Sequence, residues 1–309
     1  MGDGSGDSDN LDVLIRRGYE AEIPRVLVDY LQKEVRKWDL CQFNTMLADS
    51  PAANGLLQHL KRVGWARVVY HQPWSVLYLP DSWESYLKQV SRNERYKIRY
   101  YERRLKRRFQ VRFYKCTQES ELPICLESLF QLHEKRWELR GERGIFASAA
   151  RRRFYSEMSR LFLARQWLEF WLLELNARPA AAQFSFRYRD TVYALQQGFD
   201  PEYASVCVQD VLRAYVLRQV IAEGVRRYDF LAGRSRRKER WGTKAESYIN
   251  LEFAQPFSRG SLYLRIAHTA LTGKEWLRAR LASPAWAALH WLNVRPRGLQ
   301  GRAPEVPPD

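Results

Sequence analysis

The sequence predicts an α/β fold: mixed sheets flanked by helices, with the run of elements appearing twice and its first copy incomplete. Three observations carry this. Strand-like and helix-spaced segments interleave over residues 110–254 in the order β-α-α-β-β-β-α-β-β. A helix links the strand ending at Phe199 to the strand beginning at Val225, a crossover that favours parallel pairing. Residues 11–80 then repeat the later half of that order without its front.

The first run begins with a strand, LDVLI (11–15), and a helix over 23–37 with Pro24 near its start. A strand WDLCQF (38–43), a helix over 52–63 and strands at 65–71 and 74–79 follow. From Asp81 to Phe109 the apolar stripe of Trp83, Tyr86, Leu87, Val90, Ile98, Tyr101 and Leu105 predicts one long helix. QVRFYKC (110–116) reads as a strand. The spacing of Leu126, Leu129, Phe130, His133 and Trp137 predicts a helix over 121–140, broken by Gly141 and Gly144. Ser148 can cap the next helix. LEFWLLEL (168–175), AAAQFSFRY (180–188) and TVYALQQGF (191–199) are separated by short turns, which predicts an antiparallel meander. A helix over 206–223, stopped by Gly224, and strands at 225–231 and 247–254 complete the second run. The division expected is a loose start (1–10), a partial first domain (11–80), a basic connecting helix (81–109), a complete domain (110–255), and C-terminal helices with a tail (256–309).

Composition narrows the partners. The chain has 309 residues, 46% of them hydrophobic, which is enough to bury a core and excludes a disordered polypeptide. Its net charge of +16 favours an anionic partner. Residues 92–112 hold ten basic and two acidic side chains, a net of +8, which is dense for a merely solvated face and suits tRNA or a membrane surface. Four scattered cysteines without CxxC spacing argue against a metal site and for a reducing compartment. No apolar run approaches the ~18 residues of a membrane span. The Gly/Asp/Ser-rich start has no apolar signal segment, so a cytoplasmic location is expected.

The segment YDFLAGRSRRKERWGTK (228–244) runs a core strand into a basic burst that closes on Trp241. Asp229 in that strand needs a partner, which Lys238 or Arg227 can supply, while Trp241 plugs the core. If Asp229 faces a cleft, desolvation raises its pKa and makes it a candidate base. His133 lies on an apolar helix stripe, where a lone histidine is more often a core residue than a base. Gln183, Gln196 and Gln197 stand on meander strands and can orient a substrate, although edge-facing glutamines are the commoner case.

Three ordered stretches, HEKRWELRGERGIF (133–146), QQGFDPEYASVCVQDVLRAYVLRQVIAEG (196–224) and YDFLAGRSRRKERWG (228–242), resemble the GNAT acyltransferase superfamily. The similarity is to its cellulose-biosynthesis acetyltransferase branch, which has tandem GNAT-like domains related to the FemABX peptidyltransferases; SRNERYKIRYYERRLKR (91–107) is similar too. Where that branch often has Ser-Pro-Gly, this chain has Ser205-Val206-Cys207-Val208. The resemblance implies direct N-acyl transfer from acetyl-CoA or another acyl-CoA, with no metal, to an amine acceptor such as an amino sugar, a polysaccharide precursor or an amino acid. It implies pyrophosphate binding at Ser205, Val206, Cys207, Val208, Gln209 and Asp210, at a helix start; Asp210 would oppose the anion. It raises His133 and Asp229 as catalytic candidates and Arg136, Trp137, Gln183, Gln197, Lys238 and Trp241 as substrate-binding ones. Two alternatives stand: an aminoacyl-tRNA-dependent transferase of the FemABX kind, and a non-catalytic scaffold or nucleic-acid-binding remnant.

Overall fold

The computed structural model describes residues 9–35, 38–139, 141–267 and 269. In chain order its elements are α1 (Ile23–Lys33), β1 (Cys41–Leu47), α2 (Pro51–Arg62), β2 (Ala66–Tyr78), α3 (Trp83–Gln89), α4 (Arg92–Arg108) and β3 (Val111–Lys115). There follow α5 (Leu122–Glu138), α6 (Ala149–Ala164), β4 (Leu168–Leu175), β5 (Arg178–Tyr188), β6 (Thr191–Phe199), α7 (Val208–Ala222), β7 (Arg227–Ala232), α8 (Arg236–Glu239) and β8 (Lys244–Ala254).

The chain forms two compact units, one from residues up to Pro73 and from Ser247 onward, the other from Trp74 to Glu246. In the first unit β1 pairs antiparallel with β8, from Cys41↔Phe253 to Leu47↔Tyr248. Helices α1 and α2 close its core on Val28, Leu56, Leu60, Trp65 and Phe253. Ser50 caps α2 by accepting the N–H groups of Ala52 and Ala53. Residues 11–15, expected as a strand, have no regular structure, and the strands expected at 65–71 and 74–79 are one, β2. Pairing of the 248–253 segment with β1 is what assigns β8 to this unit.

The second unit carries a mixed sheet in the order β2-β7-β6-β5-β4-β3. The meander is antiparallel throughout, with Leu168↔Phe186 between β4 and β5 and Tyr188↔Thr191 between β5 and β6. Helix α7 packs on one face in a core of Val192, Val216, Leu217, Tyr228 and Phe230. Helices α5 and α6 cover the other, over Phe170, Leu172 and Phe184. The long helix expected over 81–109 is two helices. Val90 is extended (φ −84°, ψ 156°), and Ser91 restarts the chain by accepting the Glu94 N–H. Propensity favoured continuity; a local cap made the break. The C-terminal helices and tail expected over 256–309 lie mostly outside the described residues.

Candidate functional site

Strands β6 and β7 run parallel for three rungs only: Thr191↔Arg227, Val192↔Tyr228 and Tyr193↔Asp229. Beyond them β6 keeps its pairing with β5 to Phe199, while its β7-facing edge has no strand partner. The cause is local. Asp229 accepts the Leu231 N–H at 2.7 Å, and Leu231 takes a left-handed conformation (φ 60°) that turns β7 aside. Lys238 secures the same turn from the basic loop, donating to the carbonyls of Phe230, Leu231 and Gly233 at 2.9, 3.1 and 3.0 Å. Asp229 thus satisfies the turn's N–H and Lys238 its carbonyl oxygens. Arg227, the other partner expected for Asp229, bonds Asp190 at 3.3 Å. Trp241 is buried as expected, and Tyr86 donates to its carbonyl oxygen.

Helix α7 begins two residues later than the expected Val206, after a 3-10 turn over Pro201–Val206. Asp200 holds that turn by accepting the Glu202 N–H and pairing with Lys135. Ser205 is exposed, whereas Val206 and Val208 anchor the turn in the core. Cys207 sits left-handed at the cap (φ 50°), and its carbonyl accepts the N–H groups of Asp210 and Val211 at 3.0 Å each. The N–H groups of Val208 and Gln209 have no hydrogen bond among the described residues. Asp210, expected to repel an anion, is paired with Arg240 at 3.1 Å. Arg240 also reaches Glu94 at 3.8 Å, so the basic loop supplies the counter-charge.

Against the α7 face of the fork lie Gln183 and Gln197, both named from sequence, and Arg213, which was not. Gln183 reaches Ser185 at 3.4 Å, and the Gln197 side-chain oxygen accepts from the Arg213 guanidinium. The Arg213 guanidinium lies over the rings of Phe230 (5.0 Å) and Trp241 (5.7 Å). Its sequence signal was an arginine inside a helix that is apolar on most sides; its burial was not readable without the fold.

His133 and Trp137 lie on the opposite face. His133 is 1% exposed, and its Nε2 accepts the Trp137 indole N–H at 2.9 Å. Burial, helped by the Arg136 charge, pushes its pKa down to about 4, so the ring is neutral at physiological pH. A Cβ on Gly144 would stand 2.5 Å from the ring's Nδ1, and one on Gly198 2.5 Å from the His133 backbone nitrogen. Gly144 lets the chain close on the ring, and Gly198 lets β6 close on the α5 backbone. Arg136 crosses to β6 and donates to the Gln197 carbonyl at 3.1 Å. The sheet therefore separates the expected residues: Gln183, Gln197 and Trp241 with α7, His133 with α5, and Asp229 at the last parallel rung. Among the described residues, no group of three or more His, Cys, Asp or Glu is arranged to hold a metal ion.

A mixed sheet whose parallel pair opens over the free amino end of the crossover helix defines a GNAT-type acyltransferase fold. Residues 92–241 match the family model described as "Acetyltransferase (GNAT) domain". Among solved structures, the chain resembles FemX (TM-score 0.55, 12% identity, 77% of this chain and 78% of that one). It also resembles a conserved protein of unknown function from Bacteroides thetaiotaomicron (TM-score 0.52, 12% identity, 75% of each chain). A third is L-PGS from Bacillus licheniformis (TM-score 0.51, 12% identity, 81% of this chain and 78% of that one). At these identities the likeness is one of fold. No curated protein matches the sequence. Among the described residues no helix is long and apolar enough to cross a membrane.

Proposed function

We propose that the second unit transfers an acyl group from a CoA thioester to an amine acceptor by direct attack, without a covalent enzyme intermediate. The observation that carries this is the β6/β7 ladder, which stops after three rungs above an α7 start with two unbonded N–H groups. An extended pantetheine fits as an added strand on the unpaired β6 edge. Its pyrophosphate suits the Val208 and Gln209 amides, where a helix end favours an anion. When bound, the thioester supplies the activated acyl group. Asp229 stands at the last rung and is the residue assigned to take the amine proton, and Tyr193 is its neighbour across that rung. Gln183, Gln197, Lys238 and Trp241 shape the acceptor side. His133, Arg136 and Trp137 support β6 from behind.

The test is a thiol-release assay on the full chain with acetyl-CoA and longer acyl-CoAs against amino sugars, polyamines and amino acids. Asp229→Asn should lose most of the turnover while keeping acyl-CoA binding. Unchanged turnover in that variant removes Asp229 from the mechanism, and release with no acceptor in the panel removes the reading itself.

A second reading, in which the acyl donor is an aminoacyl-tRNA, has one observation of its own. Arg92, Tyr96, Arg99, Arg103 and Arg107 line the exposed side of α4, and the Tyr96 and Tyr100 rings stack at 5.8 Å. The acids of α4 are engaged: Glu94 by Lys97, and Glu102 by Lys106 and Arg218. Four arginines on phosphates give a log–log salt slope of about −3. A flat salt dependence of tRNA binding, or none detected, rejects this reading, whereas acyl-CoA insertion depends little on salt.

A further inference from the structure

Arg213 is 4% exposed, yet among the described residues no carboxylate lies within ion-pair distance of it. A buried guanidinium without a counter-ion carries an uncompensated desolvation cost, and cation–π contacts with Phe230 and Trp241 offset only part of it. Unmet donors surround it. The Arg213 Nε, the Trp241 indole N–H and the Gln209 side-chain amide nitrogen are all buried without hydrogen-bond partners. Gln209 and Arg213 are four residues apart and so share one face of α7. The Tyr228 hydroxyl is also buried, flanked by Arg213, Ser185 and Gln183. Several donors lie here, and the acceptors beside them, the side-chain oxygens of Gln183, Gln197 and Ser185, are all uncharged.

The location is specific. Two of the residues Arg213 touches on the sheet, Gln197 of β6 and Phe230 of β7, lie on either side of the fork, each past the last parallel rung. The local charge is also specific. Arg240 and Lys97 balance Asp210 and Glu94 one for one, which leaves Arg213 as a single uncompensated cation. One planar fork of N–H groups, one indole N–H and one net positive charge match a monoanionic carboxylate better than a phosphate dianion or a pyrophosphate.

We infer that Arg213, with Gln209 and Trp241, receives the carboxylate of the acyl acceptor, so that the acceptor is an amino acid or another amine bearing a carboxylate. The role assigned to that carboxylate rests on the acyl-transfer reading; the binding site itself does not. The site also selects: an acceptor amidated at its carboxyl group leaves the buried guanidinium unneutralised.

The experiment measures thermal stabilisation of the full chain by a panel of L-amino acids, each paired with its own amide. At least one acid should stabilise the protein in a concentration-dependent manner, and its amide should bind roughly 10- to 100-fold more weakly. Arg213→Lys, which keeps the charge and loses the fork, should bind that acid at least about tenfold more weakly. Arg213→Met should abolish the effect and raise the melting temperature of the unliganded protein, since an unpaired buried charge is removed. If Arg213→Met does not fold, the wild-type acid–amide comparison and Arg213→Lys decide the matter. Amides that stabilise as well as acids, acids that still bind Arg213→Met, or no stabilisation by any acid would each overturn the inference. Thiol release separates the two proposals. Acid-specific binding without release keeps the carboxylate site and rejects transfer from acyl-CoA. Equal turnover of acid and amide keeps transfer and rejects the site.

Discussion

Placing a methyl group on Gly198 tests how β6 is held at the fork. The added Cβ would stand 2.5 Å from the His133 nitrogen, 2.6 Å from the Leu132 carbonyl carbon and 2.8 Å from the Leu132 Cβ. Ordinary contact distances are 3.4–4 Å, so strand and helix must separate by close to an ångström. Two of the three atoms are backbone in the middle of α5, and β6 is pinned on its other side by the Ala182↔Gly198 pair with β5. Neither element can yield alone. Overpacking of a core typically costs 1–3 kcal/mol and more where backbone must move, so Gly198→Ala should cost at least about 3 kcal/mol. For a folding unit of 150–250 residues that lowers the melting temperature by about 6–12 °C. Gly224→Ala is the control. Its φ of 76° strains any side chain, but nothing lies within 4 Å, so its cost should stay near 1 kcal/mol. The assay is thermal and urea unfolding of both variants beside the wild type. If Gly198→Ala melts within 2–3 °C of the wild type, or no lower than Gly224→Ala, the α5–β6 contact does not set the strand's position and the reasoning fails.

Trp241→Ala should cost about 3–5 kcal/mol because the ring fills the core beside Arg213 and Phe230; an unchanged melting temperature with lost turnover would make its role functional instead. Asp210→Asn removes a carboxylate from the first turn of α7 and frees Arg240, so acetyl-CoA should bind severalfold tighter by calorimetry. The same change should cost about 1 kcal/mol of stability through the lost pair and helix-end charge; weaker binding would contradict the placement of the anion. His133 has a folded pKa of about 4, against about 6.5 for an ordinary histidine. The unfolded chain therefore binds the proton first, and stability should fall by about 3 kcal/mol as pH drops from 6.5 to 4. In urea titrations across that range, His133→Asn should lose this component, and an identical pH profile in variant and wild type would refute the assignment.

Residue order alone made much of the second unit legible. Strand-like runs joined by short turns marked the meander at 168–199, three-to-four spacing marked the helix around His133 and Trp137, and the crossover through α7 implied the parallel pairing that β6 and β7 show. These features depend on neighbours in the chain, so local pattern suffices to reveal them. The break at Val90–Ser91 was missed because one serine cap outweighed a continuous apolar stripe, and 11–15 was misread because five mostly apolar residues do not make a strand without a partner to pair with. The site was legible only in outline. Gln197, Asp229, Lys238 and Trp241 were named from their types and positions. Three features come from segments far apart in sequence: Arg240 neutralising Asp210, Lys238 closing the turn after β7, and Arg213 buried between two strands without a counter-ion. The charge of a side chain is written in the sequence. Whether that charge is paired, screened or left bare depends on which distant groups the fold packs around it, and only the tertiary structure decided that.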